Sequence, residues 1–144
     1  ANRGYYITPH VIRAIGSEKN LNTKYMERHE TGIDKSHYEI IADGMEMAVL
    51  SGTATVAQMN GVVVCAKTGT AQDPPRKNHS VFIAFAPKVN PKIAIAVLVE
   101  NSGFGATYAG PIASLMIEYY LNRKIERKDL EERIINTVLL NPNQ

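Results

Sequence analysis

The sequence predicts an α+β domain, an antiparallel sheet flanked by helices, on three observations. Three strand-like runs, Val62–Thr70, His79–Ala86 and Lys92–Glu100, follow one another closely. The last two are joined by Pro87-Lys88-Val89-Asn90-Pro91, a turn-forming link that makes them an antiparallel hairpin. Apolar residues at helical spacing precede and follow this group, over residues 37–50 and 107–121.

Each element has a local reason. Ala1-Asn2-Arg3-Gly4 reads as a frayed end, and Tyr5–Ile12 as a short extended segment that Pro9 confines to an edge. Gly16–Asp34 is polar, charge-mixed and aperiodic, the pattern of a long surface loop. Ser36 and Glu39 have capping-box spacing, and Tyr38, Ile41, Met45, Ala48 and Val49 supply an apolar stripe behind them. Gly44 weakens the middle of that helix. Small residues, Ser51-Gly52-Thr53-Ala54-Thr55, end it.

Ile93–Val99 is apolar at every position, which predicts a strand covered on both faces in the middle of a sheet. In the next helix Tyr108, Ile112, Leu115, Met116 and Tyr119 form the expected buried stripe, with Thr107 as N-cap. A more charged helix over residues 127–139 places Leu130, Ile134 and Val138 on one side and an Asp129/Arg133 pair on another.

Composition excludes several function classes. The chain has 144 residues, the size of one ordinary domain, with 44% hydrophobic and 21% charged residues, as in soluble globular proteins. No basic stripe interleaved with aromatics supports nucleic-acid binding, and a net charge of +2 with interspersed signs decides nothing about anionic partners. The apolar runs around Val62–Ala66 and Ile93–Val99 are too short to span a bilayer, and no targeting segment is visible. The four histidines are scattered without ligand spacing, so neither a metal nor a cofactor is expected. Cys65, the single cysteine, lies in a β-branched run and reads as a small buried apolar residue.

The chemistry concentrates in Val64-Cys65-Ala66-Lys67-Thr68-Gly69-Thr70-Ala71-Gln72. A phosphate-binding loop is one reading of Gly61…Ala66-Lys67-Thr68, with Ala66 in place of the second glycine. The intervening Val-Val-Val-Cys would pair in a ladder rather than cradle an anion, and Asp73-Pro74-Pro75 follows where a helix should begin. A nucleotide-binding domain is therefore a distant third reading. The other reading is the K-T-G strand of penicillin-recognising serine enzymes. Lysine on a strand edge presents a cation to a substrate carboxylate, threonine hydroxyls hydrogen-bond it, and glycine lets a peptide lie against the strand. Taken alone, Lys67 reads first as a surface lysine ending a buried strand, and β-propensity alone justifies Thr70. His79 and Gln72 either border the groove or are ordinary polar residues, and Asp73–Asn78 reads as a solvated loop.

Beyond the tetrapeptide, Ala1-Asn2-Arg3-Gly4, Lys67-Thr68-Gly69-Thr70-Ala71-Gln72, His79–Pro87, Val99-Glu100-Asn101 and the Pro111-Ile112-Ala113 helix resemble class B penicillin-binding proteins. Phe85-Ala86-Pro87 and Val99-Glu100-Asn101 are most similar to penicillin-binding protein 2 of wall elongation. The resemblance covers residues 1–121 and implies the three C-terminal strands of the transpeptidase sheet. Residues 1–144 would then be the C-terminal portion of a single transpeptidase domain, a partial domain cut from a longer chain. It further implies a periplasmic D,D-transpeptidase that cross-links peptidoglycan stem peptides through an acyl-serine, binds β-lactam antibiotics, and works with a wall-elongation glycosyltransferase.

On matching positions, Lys67 would be the electrostatic and proton-relay lysine. Thr68 and Thr70 would hold the donor's terminal carboxylate, the Thr70 N–H would supply one oxyanion donor, and Gly69 would permit close approach. The family's S-x-x-K and S-x-N motifs are not in these residues; Ser17-Glu18-Lys19-Asn20 and Ser36-His37-Tyr38-Glu39 match neither. The expectation is an inactive piece of an active enzyme, with a β-lactam-sensing or scaffolding domain as the non-catalytic alternative. Its last strand would leave an open edge through which the piece self-associates.

Overall fold

The structure, a computed structural model, describes residues 1–12, 14, 16 and 23–138. Ser17–Asn20 of the sequence reading, and residue 139 of the last helix, lie outside this range. Contacts divide the chain into two units, one made of residues 2–41 and another beginning at Ala42.

In the first unit, β1 (Tyr5–Ile7) pairs antiparallel with β2 (Arg28–Glu30), Tyr6 opposite His29. The strand β2 corrects the expectation of an unbroken loop over Gly16–Asp34, as does a 3-10 turn at Thr23–Tyr25. Arg-His-Glu carries no apolar alternation; backbone pairing and cross-strand rings make the ladder instead, with Tyr6 and His29 stacked at 5.0 Å. The segment from Tyr5 is strand only as far as Ile7, ending before Pro9. Helix α1 (Lys35–Leu50) starts one residue before the predicted cap. Asp34, not Ser36, is the acceptor: its Oδ1 takes the Ser36 N–H at 2.8 Å and the Ser36 hydroxyl at 2.5 Å. Those two bonds, the hydroxyl first, hold the Asp34 carboxyl below its usual range. Glu39 pairs with Arg3 at 3.0 Å rather than closing a capping box.

In the second unit, β3 (Cys65–Ala71), β4 (His79–Ala86) and β5 (Ile93–Val99) form one antiparallel sheet in that order. The strand β3 begins three residues later than predicted, because Gly61 at φ 74° turns the chain and Val62 bridges only to Met59. Helix α2 (Ala109–Asn122) covers one sheet face, and Ala66, Phe82, Ala84, Ala113 and Ile117 make the core between them. Complete burial of Phe82 and Ile117 contributes about 1.5–3 kcal/mol each. Ala42 on α1, Cys65 and Phe85 form a smaller cluster on the opposite face. Lys88, after β4, donates to Asp43 Oδ1 at 2.5 Å and to Glu46; the bond to Asp43, then that to Glu46, raises its pKa.

Three sequence expectations need correction here. The strand β5 is covered on one face only: Ile93, Ile95, Val97 and Val99 pack on the core, while Ala94, Ala96 and Leu98 face outward. It lies at the sheet's edge, with no strand on its outer side among the described residues. The stripe assigned to α2 is right in part: Leu115 is buried and Tyr108 and Ile112 half-buried, but Met116 and Tyr119 are more than half exposed, and the face packed on the sheet is Ala109, Gly110, Ala113, Ser114 and Ile117. Close packing selects small residues there, since a Cβ on Gly110 would stand 2.9 Å from Val56 Cγ1 and 3.2 Å from the Phe82 ring. Thr107 does not cap this helix; Ser80 on β4 accepts the Ala109 N–H at 3.1 Å and donates to the Phe104 carbonyl at 2.9 Å.

The apolar stripe of α1 is right in part, with Val49 buried but Ile41 exposed. Helix α3 (Lys128–Ile135) half-buries Leu130 and Ile134, leaves Val138 exposed, and pairs Lys128 with Glu131 at 2.7 Å. No described helix is long and apolar enough to cross a membrane.

Candidate active site

The Lys67–Thr70 motif lies on β3, the strand at the other edge of the sheet, with Lys67 opposite Ile83, Thr68 opposite Phe82, Gly69 opposite Val81 and Thr70 opposite Ser80. Period-two alternation puts Thr68 and Thr70 on one face, and Lys67 and Gly69 with Cys65 on the other.

The loop before α2 fixes which backbone groups face outward. A Cβ on Gly105 would lie 2.4 Å from the Val81 oxygen, 2.5 Å from the Gly69 oxygen and 3.0 Å from the Gly69 nitrogen. Three such atoms surround one point only if Gly69 and Val81 exchange hydrogen bonds across the ladder. The neighbouring Thr68 and Thr70 then turn their N–H and C=O groups to the open edge. Consistent with this, the Lys67 ammonium folds back to donate to the Thr68 carbonyl at 2.7 Å. An extended peptide could therefore add to β3 as a further strand, meeting an ammonium, two hydroxyls and an outward Thr70 N–H.

Gly105 supports this strand from beneath, and no side chain fits there. Gly105→Ala is expected to cost about 1–3 kcal/mol through overpacking against backbone. A thermal melt checks it: an unchanged melting temperature would mean the loop lifts away freely.

Three further groups belong to the site and were not read from sequence. Thr53, in the turn after α1, places its hydroxyl 2.7 Å from that of Thr68. Asp73 takes Arg76 at 2.9 Å and faces His79 Nε2 at 3.5 Å. The Asn101 N–H donates to His79 Nδ1 at 3.0 Å, which leaves the ring proton on Nε2, toward Asp73. Turned so that its nitrogen faces these acceptors, the Asn101 side-chain amide donates to Asp73 Oδ2 at 3.2 Å and the Lys77 carbonyl at 3.0 Å. The β3–β4 loop, a solvated loop by its sequence and a border of the substrate cleft by its resemblance, is fastened to the loop after β5, and His79 acts as its anchor. Gln72 is exposed. A groove of about 670 Å³ lined by Val49, Gln58 and Gly61–Val64 contains none of the motif residues. Among the described residues, no three His, Cys, Asp or Glu side chains gather as a metal site.

Comparison with known proteins bears on the same residues. The sequence profile described as "Penicillin binding protein transpeptidase domain" matches residues 1–118. The chain is 28% identical to the peptidoglycan D,D-transpeptidase MrdA of Haemophilus influenzae, over 86% of this chain and 22% of that protein. It is 32% identical to the peptidoglycan D,D-transpeptidase PbpA of Mycobacterium tuberculosis, over 82% of this chain and 26% of that one. It spans about a quarter of the length of the curated relatives it matches. The crystal structure of penicillin-binding protein 2 of Pseudomonas aeruginosa superposes with a TM-score of 0.71 at 28% identity, over 88% of this chain and 29% of that one. Penicillin-binding protein A of M. tuberculosis, solved as an imipenem acyl-enzyme, gives 0.58 at 33% identity, over 66% and 21%. The motif strand, its antiparallel partners, the covering helix and these matches lead to one assignment: the chain belongs to the penicillin-binding protein transpeptidase domain family.

Proposed function

We propose that this chain forms the substrate-aligning wall of a peptidoglycan D,D-transpeptidase that cross-links stem peptides through an acyl-serine and is acylated by β-lactams. The observation that carries the reading is Lys67-Thr68-Gly69-Thr70 on an open strand edge, in a chain of this family. Lys67 supplies the cation that attracts the donor's terminal carboxylate and assists proton movement at the serine. Thr68 and Thr70 hydrogen-bond that carboxylate. The Thr70 N–H serves as one oxyanion donor, acting on charge as it develops on the scissile carbonyl. Gly69 keeps the strand flat enough for close approach.

The nucleophile lies outside these residues, which make up the C-terminal portion of one transpeptidase domain. The complete protein works on the periplasmic side of the bacterial membrane, beside a wall-elongation glycosyltransferase. Acyl-enzyme formation by the M. tuberculosis relative supports the β-lactam part of the reading.

A fluorescent penicillin tests it. The complete transpeptidase carrying this chain is expected to be labelled covalently, and residues 1–144 alone are not. Labelling of 1–144 alone, or none of the complete protein, overturns the reading; labelling without cross-linked product favours the sensing role.

A further inference from the structure

We infer that Thr53 is a positioning residue for carboxylate recognition, acting through Thr68; this rests on the function proposed above. The two hydroxyl oxygens are 2.7 Å apart, although the residues are fifteen positions apart in sequence. The turn that carries Thr53 is fixed on both sides. A Cβ on Gly52 would stand 2.9 Å from Ala48 Cα, so this residue packs directly on the α1 backbone. Ala54 is fully buried, its N–H donates to the Ala48 carbonyl at 2.9 Å, and its own carbonyl accepts the Ala57 N–H at 2.9 Å. Thr53 itself is exposed, so its hydroxyl fills no core space. Backbone constraints alone aim it at Thr68.

The chemistry gives that contact a direction. A hydroxyl has one proton to donate and lone pairs to accept. A carboxylate only accepts, so a bound substrate takes the Thr68 proton. Thr53 must then donate to the Thr68 oxygen, making a chain from Thr53 to Thr68 to carboxylate. Such chains polarise each successive O–H and strengthen the terminal bond. Thr53 also holds the Thr68 side chain in the rotamer that presents its proton outward. Without it, the Thr68 hydroxyl turns among staggered wells and meets the carboxylate only part of the time.

The test uses the complete transpeptidase carrying this chain, with Thr53→Val and Thr53→Ser. Second-order acylation rates are measured with benzylpenicillin and with its methyl ester, which lacks the carboxylate charge. Thr53→Val is expected to slow acylation by the acid about tenfold and leave the ester within about twofold, as loss of one charge-assisted hydrogen bond predicts. Thr53→Ser, which keeps the hydroxyl, is expected to restore the acid rate, and both variants to melt with wild type. Equal slowing of acid and ester, or no slowing of the acid, overturns the inference. A wild-type protein that neither compound acylates overturns the function proposed above, and the inference with it.

Discussion

Replacing Lys67 by methionine in the complete transpeptidase is expected to slow acylation by benzylpenicillin by about 10²–10³-fold, with the fold intact. Lys67 is exposed on β3, and its one polar contact among the described residues is with the neighbouring Thr68 carbonyl, so truncating the charge removes no buried partner there. Methionine keeps an unbranched stem of four heavy atoms and drops only the ammonium. What disappears is the cation that the proposed function sets beside the substrate carboxylate and the serine proton. Lys67→Arg is expected to recover only part of the rate, because a planar fork cannot place its charge where a compact ammonium does. Stopped-flow acylation together with a thermal melt decides the matter. A Lys67→Met protein that acylates within a few-fold of wild type would remove this lysine from the active site.

Arg127→Ala is expected to destabilise the fold by about 3–5 kcal/mol, the cost of stranding a buried charge. Glu118, in the buried face of α2, is 4% exposed. Its Oε2 accepts Arg127 Nε at 3.0 Å and its Oε1 accepts the Glu126 N–H at 3.0 Å. Arg127 also donates to the carbonyls of Val56 at 3.0 Å and Ser114 at 3.1 Å, so one guanidinium joins α2, the turn at Thr55–Ala57 and the start of α3. Removing it leaves a carboxylate and three carbonyls, that of Gln58 included, without that donor. A fall of about 10 °C in melting temperature follows for a chain of this size. The double replacement Glu118→Met/Arg127→Met should cost less than Arg127→Ala, since apolar pairs often substitute for buried ion pairs. If the single variant melts with wild type, the ion pair is not a structural clamp.

The hairpin β4–β5, the motif strand and all three helices were legible in the sequence because each rests on local pattern. Val81–Ala86 and Ile93–Val99 alternate or run apolar around a proline-bounded link, and Lys67–Thr70 is contiguous. What escaped depends on residues distant in sequence. Gly110 is small because Val56 and Phe82 leave no room for a side chain, and Ala109 and Ala113 share that buried face, so a stripe built on bulky residues was right at Leu115 and wrong at Met116 and Tyr119. Asp34 outcompeted Ser36 as a cap two positions away, a shift that spacing alone could not resolve. The strand β2 escaped because Arg28, His29 and Glu30 carry no apolar alternation, and its backbone pairing and ring contacts with β1 join residues more than twenty positions apart. At the candidate site, Thr53 reached Thr68 and Asn101 reached His79 across fifteen and twenty-two positions, where no periodicity reports a meeting.

The cap on α2 bears on the order in which the molecule assembles. Ser80 sits on β4, not beside the helix it caps, and its hydroxyl is occupied twice, accepting from Ala109 and donating to Phe104. Until β4 is laid down, the Ala109 N–H lacks that side-chain acceptor, and the loop that carries Gly105 lacks the surface it rests on. The first turn of α2 is therefore conditional on the strand.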